Sequence, residues 1–442
     1  MAKDERASIH LSSAPEAILG GAAKLRFYPK CAAADTFPPA LHLTFVRVSP
    51  RFVVFVAILQ AILFLAHFFL YETWVSSVTS DSRPGYWLPL LLAFLSISFV
   101  AASLLAFRYD NFLVRALYRV ASVWLGLLSF LFFAASLFWI LRGIAWAANI
   151  RVNAHDLVAI LFAVAAMIGI YGVCNAALTR VRRITVRLRN LPDPWRGRRI
   201  VLVSDMHLGH VYNGRFTRRI VQMVMRQNPD SVFIAGDLYD GTIIDAEKAA
   251  APLRELHAPL GTYFVAGNHE QFGDDSRYLQ AVSRTGVRVL RNEKVDLDGL
   301  QVIGVPYRDA THDAHLRSVL QRAGVDRGRA SILLTHAPDR PGIAAEAGIS
   351  LQLSGHTHLG QFVPWTWFAK RMYRQYVYGL HRWGQMQIYT SSGAGTWGPP
   401  LRVGSQPEIV VFQLEAQPDR APSEAGSARS SRPHVGGIHA EA

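Results

Sequence analysis

The fold is decided by Arg199-Ile200-Val201-Leu202-Val203-Ser204-Asp205-Met206-His207, in which a short apolar run ends on an aspartate and a histidine. A run of this length, rich in branched residues, is typical of a buried strand. In α/β folds the loops at the carboxyl ends of such strands carry the chemistry. The segment therefore predicts a central strand whose end presents two candidate ligands, Asp205 and His207.

Four further polar clusters follow in the carboxyl-terminal half of the chain. They are Gly236-Asp237, Gly267-Asn268-His269-Glu270, Thr335-His336 and Gly355-His356-Thr357-His358. Three of them come after apolar runs that also indicate strands, at residues 231–234, 263–265 and 332–334. Each cluster alone is typical of a turn, but five in one order, each with oxygen or imidazole groups, indicate a site for divalent metal ions.

Together the five clusters resemble the calcineurin-like metallophosphoesterase superfamily, over about residues 197–415. The chain is most similar to the membrane-associated branch, in which Gly360-Gln361 and Pro364 follow the double-histidine turn. Leu359 departs from that branch, which commonly has glycine there, and leucine restricts the backbone dihedral angles of the loop. The resemblance implies an α/β domain of two mixed β-sheets, packed face to face and flanked by helices. Amphipathic patterns predict helices near residues 216–226, 245–256, 277–285 and 315–323.

The resemblance also implies two divalent metal ions, of manganese, iron or zinc. The expected ligands are Asp205, His207 and His358 for one ion, Asn268, His336 and His356 for the other, and Asp237 as a bridge between them. Two ions roughly 3.5–4 Å apart can clamp a phosphoryl group and supply a bridging hydroxide. The resemblance identifies no residues that bind the substrate.

Two residues beside the expected ligands are candidates for catalysis. His269 would stabilise the transition state or protonate the leaving oxygen, and Asp240 would fix the tautomer of His269. Alternatively, Asp240 caps a helix that begins near Thr242. Glu270 and His210 either support the ligands or are ordinary solvated side chains.

The first half of the chain contains four apolar runs without a single Asp, Glu, Lys or Arg. They lie at about residues 52–71, 87–107, 120–141 and 157–178, and each has about the 20 residues that a bilayer-spanning helix needs. We therefore expect a transmembrane region at residues 46–180, with no cleavable signal peptide before it. Gln60, His67 and Asn175 are its markedly polar interior residues, and we expect His67, near the end of a run, to reach the membrane interface.

Positive residues predict the orientation of this region in the membrane. Basic residues precede the first run, and eight arginines lie between Arg180 and Arg199, after the fourth. An even number of spans puts both ends on one side, which the positive-inside rule makes the cytoplasm. We expect a multi-pass protein of a bacterial inner or plasma membrane with a cytoplasmic catalytic domain. Residues 1–45 are expected to be poorly ordered, residues 181–196 to form a basic juxtamembrane linker and residues 416–442 to form a disordered tail.

The net charge of +14 does not require a nucleic-acid partner, because the arginines near the membrane account for much of it and suit anionic lipid headgroups. The two cysteines, Cys31 and Cys174, indicate no disulfide framework. Aromatic and cationic residues alternate between Pro364 and Trp383, which favours a membrane-interface patch over a packed lid.

The expected function is that of a membrane-anchored phosphoesterase that cleaves a phosphodiester or pyrophosphate bond. Membrane lipids and an amphiphilic phosphoester are the expected partners. The resemblance suggests a UDP-linked acylated glucosamine or a phospholipid as the substrate. The alternative is a membrane scaffold or sensor that carries a non-catalytic domain of the same fold. Because every motif position is filled, we favour the enzyme.

Overall fold

The computed structural model describes residues 50–78, 85–272 and 274–418. Within them, four helices are long and apolar enough to cross a membrane. They are α1 (Pro50–Val75), α2 (Trp87–Ala106), α3 (Phe112–Ala147) and α4 (Ala154–Ala176). Each overlaps a predicted run, but α3 extends beyond its run at both ends. The predictions for residues 1–45 and for most of the tail fall outside the described residues.

The interior of this helical bundle is apolar, with a few satisfied polar groups. His67 is buried in it and accepts a hydrogen bond at Nε2 from Trp124 Nε1 at 2.8 Å. Its Nδ1 lies 2.7 Å from the carbonyl oxygen of Leu63. The prediction that His67 reaches the membrane interface is therefore wrong, because its ring packs between α1 and α3 instead.

The remaining described chain forms an α/β domain with two mixed six-stranded sheets. The first has the order β1-β12-β2-β3-β4-β5, and the second β10-β11-β9-β8-β7-β6. The strands of the first sheet are β1 (Arg180–Leu188), β2 (Arg199–Val203), β3 (Ser231–Ile234), β4 (Thr262–Phe264), β5 (Arg288–Val289) and β12 (Glu408–Ala416). Those of the second are β6 (Glu293–Leu297), β7 (Leu300–Val305), β8 (Ser331–Thr335), β9 (Leu351–Ser354), β10 (Gly379–Trp383) and β11 (Met386–Thr390).

The two sheets pack face to face, and helices cover their outer faces. The shared core includes Ile200 and Phe233 from the first sheet and Leu334 and Leu353 from the second. The flanking helices are α5 (Gly214–Met225), α6 (Ala246–Ala250), α7 (Ser276–Ser283), α8 (Tyr307–Ala310), α9 (Asp313–Ala323) and α10 (Pro341–Ala347). A further helix, α11 (Trp365–Tyr373), lies beside α3. This architecture confirms the predicted fold class. The predicted helix at residues 245–256 is broken, because a 3-10 turn with Pro252 follows α6.

The prediction of a linker at residues 181–196 is wrong. β1 begins at Arg180, shortly after α4, and pairs in parallel with β12 over its whole length. Its arginines obscure a period-two pattern in which Val186 and Leu188 are buried and Arg187 between them is exposed. Trp195, which follows, is fully buried between the sheets. The domain is therefore joined to the membrane region by a strand of its own sheet.

The helical bundle and the α/β domain share an extensive interface. Phe362 and Leu401, both from the domain, are buried in the apolar core of the bundle. The ring of Phe362 lies 5.8 Å from that of Phe130 on α3. On another side, Arg119 of α3 donates to the carbonyl oxygen of His210 at 2.9 Å. The bundle thus packs directly against the loops of the domain.

Candidate metal centre

The candidate ligands lie on turns that follow β2, β3, β4, β8 and β9, where the carboxyl ends of strands from both sheets meet. Five of them adopt left-handed backbone conformations with φ between 49° and 72°: Asp205, His207, Asp237, His356 and His358. Residues with side chains visit this region at a cost of roughly 1–2 kcal/mol. Such strain is typical of functional sites, because the surrounding fold must hold it in place.

Leu359 also has a left-handed conformation, with φ of 51° and ψ of 28°. This is the position at which the membrane branch commonly has glycine, and its conformation explains that preference. The leucine does not displace the turn, since His358 still reaches Asp205 and His207. The departure at Leu359 therefore adds strain but leaves the ligands together.

Asp205, His207 and His358 form the first candidate metal group. The Nε2 atoms of His207 and His358 lie 2.9 Å apart, and His358 Nε2 lies 3.4 Å from Asp205 Oδ1. The backbone N–H of His356 donates to the carboxylate of Asp205 at 3.0 Å, which fixes its orientation. All three side chains are buried.

Asp237, His336 and His356 form a second group beside the first. His336 Nε2 lies 3.1 Å from Asp237 Oδ2 and 3.0 Å from His356 Nδ1. Asn268 joins this group, because its Oδ1 is 3.1 Å from His336 Nε2. His336 donates from Nδ1 to the carbonyl oxygen of Ala235 at 2.7 Å, which leaves Nε2 for a ligand role.

Asp237 lies between the two groups. Its Oδ2 is 3.1 Å from His336 Nε2 and 3.8 Å from His207 Nε2. Burial favours its neutral form, but the charge of His336 outweighs this and holds the pKa of Asp237 well below its usual value. Burial opposes the charged form of His336, but Asp237 raises the pKa of His336 to about 10. The centre therefore holds an anionic carboxylate where the groups meet.

The donor atoms fit divalent metal ions. Zinc ligands at about 2.0–2.1 Å from a tetrahedral ion are about 3.3 Å apart. The separations given above for each group, 2.9 to 3.4 Å, are close to that value, while His207 Nε2 and Asp205 Oδ1 are 4.0 Å apart. Imidazole nitrogens, carboxylate oxygens and an amide oxygen are the ligands that manganese, iron and zinc take in proteins. The structure thus brings all seven predicted ligands together in two adjoining groups.

His269 lies beside this centre, with Nε2 3.9 Å from Asp237 Oδ2. Its Nδ1 donates to the backbone carbonyl oxygen of Asp240 at 2.9 Å, so that Nε2 faces the centre. Burial lowers the pKa of His269, and the charge of Asp237 partly offsets this. The free ring nitrogen of His269 thus lies at the edge of the candidate metal groups.

Asp240 does hold His269 and fix its tautomer, but through its backbone carbonyl oxygen and not through its carboxylate. The carboxylate accepts hydrogen bonds from the backbone N–H and hydroxyl of Thr242, at 2.8 and 2.6 Å. The alternative role as a helix cap is wrong, since Asp245 caps α6.

The side chains of Asp240 and Thr242 connect to His210. Thr242 Oγ1 lies 3.0 Å from His210 Nδ1, and His210 Nε2 lies 3.0 Å from the carbonyl oxygen of Tyr109. Asp240 thus belongs to a chain of contacts that leads to the α2–α3 connection.

Glu270 is a buried support for the ligand turns, not a solvated side chain. Its carboxylate accepts from the backbone N–H groups of Asp237, Tyr239 and Gly267, at 2.7 to 3.0 Å. Burial, together with the charge of Asp237, raises the pKa of Glu270 to about 7. Its position directly after His269 was the only signal of this role in the sequence.

Arg402 was not identified from the sequence. Its guanidinium group is fully buried, and Nη2 donates to the carbonyl oxygens of Ser392 and Gly395 at 2.6 Å. Nη2 also lies 3.1 Å from His358 Nδ1. Within the described part of the chain, no carboxylate forms an ion pair with it. A single arginine in a Pro- and Gly-rich stretch gives no sign that it contacts a ligand.

Aromatic side chains surround the centre. Phe272 and Trp397 flank His269, at ring distances of 4.5 and 5.7 Å, and both are more than half exposed. Tyr307 and Tyr373 flank His356, at 5.3 and 6.0 Å. The opening to the metal groups is therefore lined by apolar rings as well as by polar ligands.

Comparisons with known proteins agree with this site. A family model described as calcineurin-like phosphoesterase matches residues 198–360. An uncharacterized metallophosphoesterase of Campylobacter jejuni is 29% identical over 83% of this chain and 99% of that protein. Proteins described as transmembrane protein with metallophosphoesterase domain, from Danio rerio and Bos taurus, are each 32% identical over 57% and 62% of this chain. These matches cover 61% of the zebrafish protein and 68% of the bovine protein.

Proposed function

Because the chain belongs to the calcineurin-like metallophosphoesterases, we propose that this membrane protein hydrolyses a phosphodiester or pyrophosphate bond of a lipid-linked substrate. The observation that carries the proposal is the position of the turn after His358. Its Phe362 is buried in the core of the transmembrane helices, so the metal groups lie beside the membrane region. A phosphate group attached to a lipid anchor can reach them without leaving the bilayer surface.

The residues of the site have separable roles in this reaction. Bound divalent metal ions would neutralise the phosphoryl oxygens and activate the attacking water. Asp237 and Asp205 supply negative charge, and the histidines would supply imidazole nitrogens, with the proton that Asp237 stabilises on His336 released on metal binding. His269 stabilises the leaving oxygen, and the rings of Phe272 and Trp397 beside it offer apolar contacts to the leaving group.

A substrate panel tests the proposal. The full chain, purified in detergent with Mn²⁺, is expected to cleave bis(p-nitrophenyl) phosphate slowly and an acylated UDP-glucosamine or a phospholipid faster. UDP-glucosamine without acyl chains is the matched control. Equal rates with and without the acyl chains would rule out a lipid-linked substrate, and no cleavage of any phosphoester would favour the scaffold or sensor.

Helix α11 supports a location at the membrane surface. Trp365, Trp367 and Phe368 are 55 to 61% exposed, and the ring of Trp367 lies 6.2 Å from Phe133 of α3. Lys370 and Arg371 lie in its last turn. An aromatic and cationic helix next to a transmembrane helix is typical of the membrane interface.

Replacing Trp365, Trp367 and Phe368 together by serine should slow hydrolysis of a bilayer-embedded substrate at least tenfold. Burying one such side chain contributes about 1.5–3 kcal/mol, and about 1.4 kcal/mol is a factor of ten. Hydrolysis of bis(p-nitrophenyl) phosphate should be nearly unchanged, because none of the three is a candidate ligand. Rates in lipid nanodiscs measure both effects, with Trp383→Ser as a control on another exposed aromatic residue. If the rate of hydrolysis of the soluble diester falls instead, α11 is a structural lid over the metal centre and not a membrane contact.

The charge pattern supports a cytoplasmic α/β domain, and cysteine labelling tests this orientation. In a chain without Cys31 and Cys174, a cysteine at Asn149 should react with an impermeant maleimide in intact cells. A cysteine at Asn190 should react only after the cells are opened. Both asparagines are exposed, so accessibility to the reagent depends on the side of the membrane. Labelling of a cysteine at position 190 in intact cells would contradict the proposed orientation and place the α/β domain outside.

A further inference from the structure

We propose that transmembrane helix α4 positions the metal ligand His358 through the loop at residues 397–405, with Arg402 as the positioning residue. The inference rests on the metal centre of the proposed function, but not on the identity of its substrate. It gives the membrane region a role in building the site, beyond anchoring it.

Hydrogen bonds from the loop to α4 form the first part of this connection. The backbone N–H of Arg402 donates to the carbonyl oxygen of Gly172 at 2.9 Å. The side-chain amide of Asn175 donates to the carbonyl oxygens of Arg402 and Ser405, at 3.0 and 2.9 Å. A polar side chain in an apolar span is costly unless it is paired. Asn175 is therefore explained by the loop that it holds.

Close packing fixes the loop to the same helix. Leu401 is fully buried in the bundle core. A Cβ atom added at Gly172 would lie 2.7 Å from Leu401 Cγ and 2.9 Å from Val403 Cγ2, and one at Gly126 would lie 3.2 Å from Leu401 Cδ1. The two glycines let the loop enter between α3 and α4, as small residues do at close contacts in membranes.

The loop is joined as tightly to the turn that carries His358. Gln361 exchanges two hydrogen bonds with the backbone of Trp397, at 2.8 and 2.9 Å. The carbonyl oxygen of Gln361 also accepts from the backbone N–H of Val403 at 2.9 Å. The loop and the ligand turn therefore move as one unit.

Arg402 completes the connection at His358 itself. Its guanidinium is held by backbone carbonyl oxygens on one side and faces His358 on the other, with Nη1 3.3 Å from the carbonyl oxygen of His358 and Nη2 3.1 Å from its Nδ1. A guanidinium group is planar and rigid, so it sets the orientation of what it contacts. Because a guanidinium group only donates hydrogen bonds, Arg402 positions His358 through its carbonyl oxygen, and the turn fixed in this way carries Nε2 towards His207 and Asp205.

A small displacement of the loop is enough to disturb the ligand. Ordinary contacts of a Cβ atom begin at 3.4 Å, so an alanine at position 172 must push Leu401 away by about 0.7 Å. Metal–ligand distances tolerate only about ±0.2 Å. A methyl group in the membrane region should therefore weaken metal binding at a site that it does not touch.

The test compares two glycine-to-alanine substitutions in the full chain, purified in detergent and stripped of metal. Titration with Co²⁺, followed by visible absorption and elemental analysis, reports affinity and ligand geometry without any substrate. Gly172→Ala should weaken the binding of one Co²⁺ at least about tenfold, as loss of a ligand's support does, and should change the absorption spectrum. Gly143→Ala, in α3, should match the wild type, because nothing lies within 4 Å of its Cβ.

Asn175→Leu, which removes the amide but keeps the size of the side chain, should act in the same direction as Gly172→Ala. If the Gly172→Ala protein does not fold, the Co²⁺ affinity of the Asn175→Leu protein tests whether α4 positions His358. Arg402→Lys keeps the charge without the planar group and should also alter the spectrum. Wild-type affinity and spectra in folded Gly172→Ala or Asn175→Leu protein would overturn the inference. A chain that binds Co²⁺ as expected but cleaves no phosphoester would count against the proposed function alone.

Discussion

Asp237→Asn is expected to abolish phosphoester hydrolysis and to lower the metal content of the protein. Asp237 belongs to the second metal group and is the predicted bridge to the first, since its carboxylate lies 3.1 Å from His336 and 3.8 Å from His207. Loss of a group that merely supports a ligand costs up to about 100-fold, so loss of a shared anionic ligand should cost more. Elemental analysis and rates with bis(p-nitrophenyl) phosphate measure the two effects.

The control for this substitution is Asp193→Asn, because the side chain of Asp193 is 86% exposed and forms a surface ion pair with Arg196. It should keep both the metal and the activity. His207→Ala should mainly reduce occupancy of the first group. Full retention of metal in the Asp237→Asn protein would contradict the position assigned to Asp237.

His269→Ala should lower kcat by about 10²–10⁴-fold, the usual contribution of an acid or base in the transition state, while the metal content stays the same. Its Nε2 lies 3.9 Å from Asp237 Oδ2. His207, Asp237 and His269 are also close enough to hold an ion, but His269 is not one of the seven predicted ligands. The loss should be larger for alkyl than for p-nitrophenyl leaving groups, because a poor leaving group needs more stabilisation.

Parallel kcat and metal measurements on His315→Ala provide the control, since the side chain of His315 is 63% exposed. Loss of metal from the His269→Ala protein would show that His269 is a ligand. An equal loss of kcat with both leaving groups would show that His269 does not act in the step in which the leaving oxygen departs.

The sequence predicts the strands and ligand turns well, because the signals are local. Each apolar run before a cluster becomes a buried strand, and the parallel arrangement of β2, β3 and β4 brings their ends together. The metallophosphoesterase family and the four apolar helices are likewise confirmed. Short apolar runs ending in polar residues leave few other folds.

The features that were missed depend on contacts between distant parts of the chain. Nothing local distinguishes the Asp240 carboxylate from its carbonyl oxygen as the partner of His269. The contact between Arg402 and His358 joins residues 44 positions apart. β1 was hidden because its arginines suggested a linker, and its pairing with β12 cannot be seen from the sequence of either strand.

The place of β12 in the first sheet also determines the order in which the protein can be assembled. β12 lies between β1 and β2, and 228 residues separate paired positions of β1 and β12. During synthesis, β1 emerges directly after α4 enters the membrane, and it has no neighbour until nearly all of the described chain has been made. Such distant pairing is slow to form. A ribosome-bound chain that ends before Glu408 therefore exposes an unpaired strand edge at the membrane surface, where it is open to aggregation or to a chaperone.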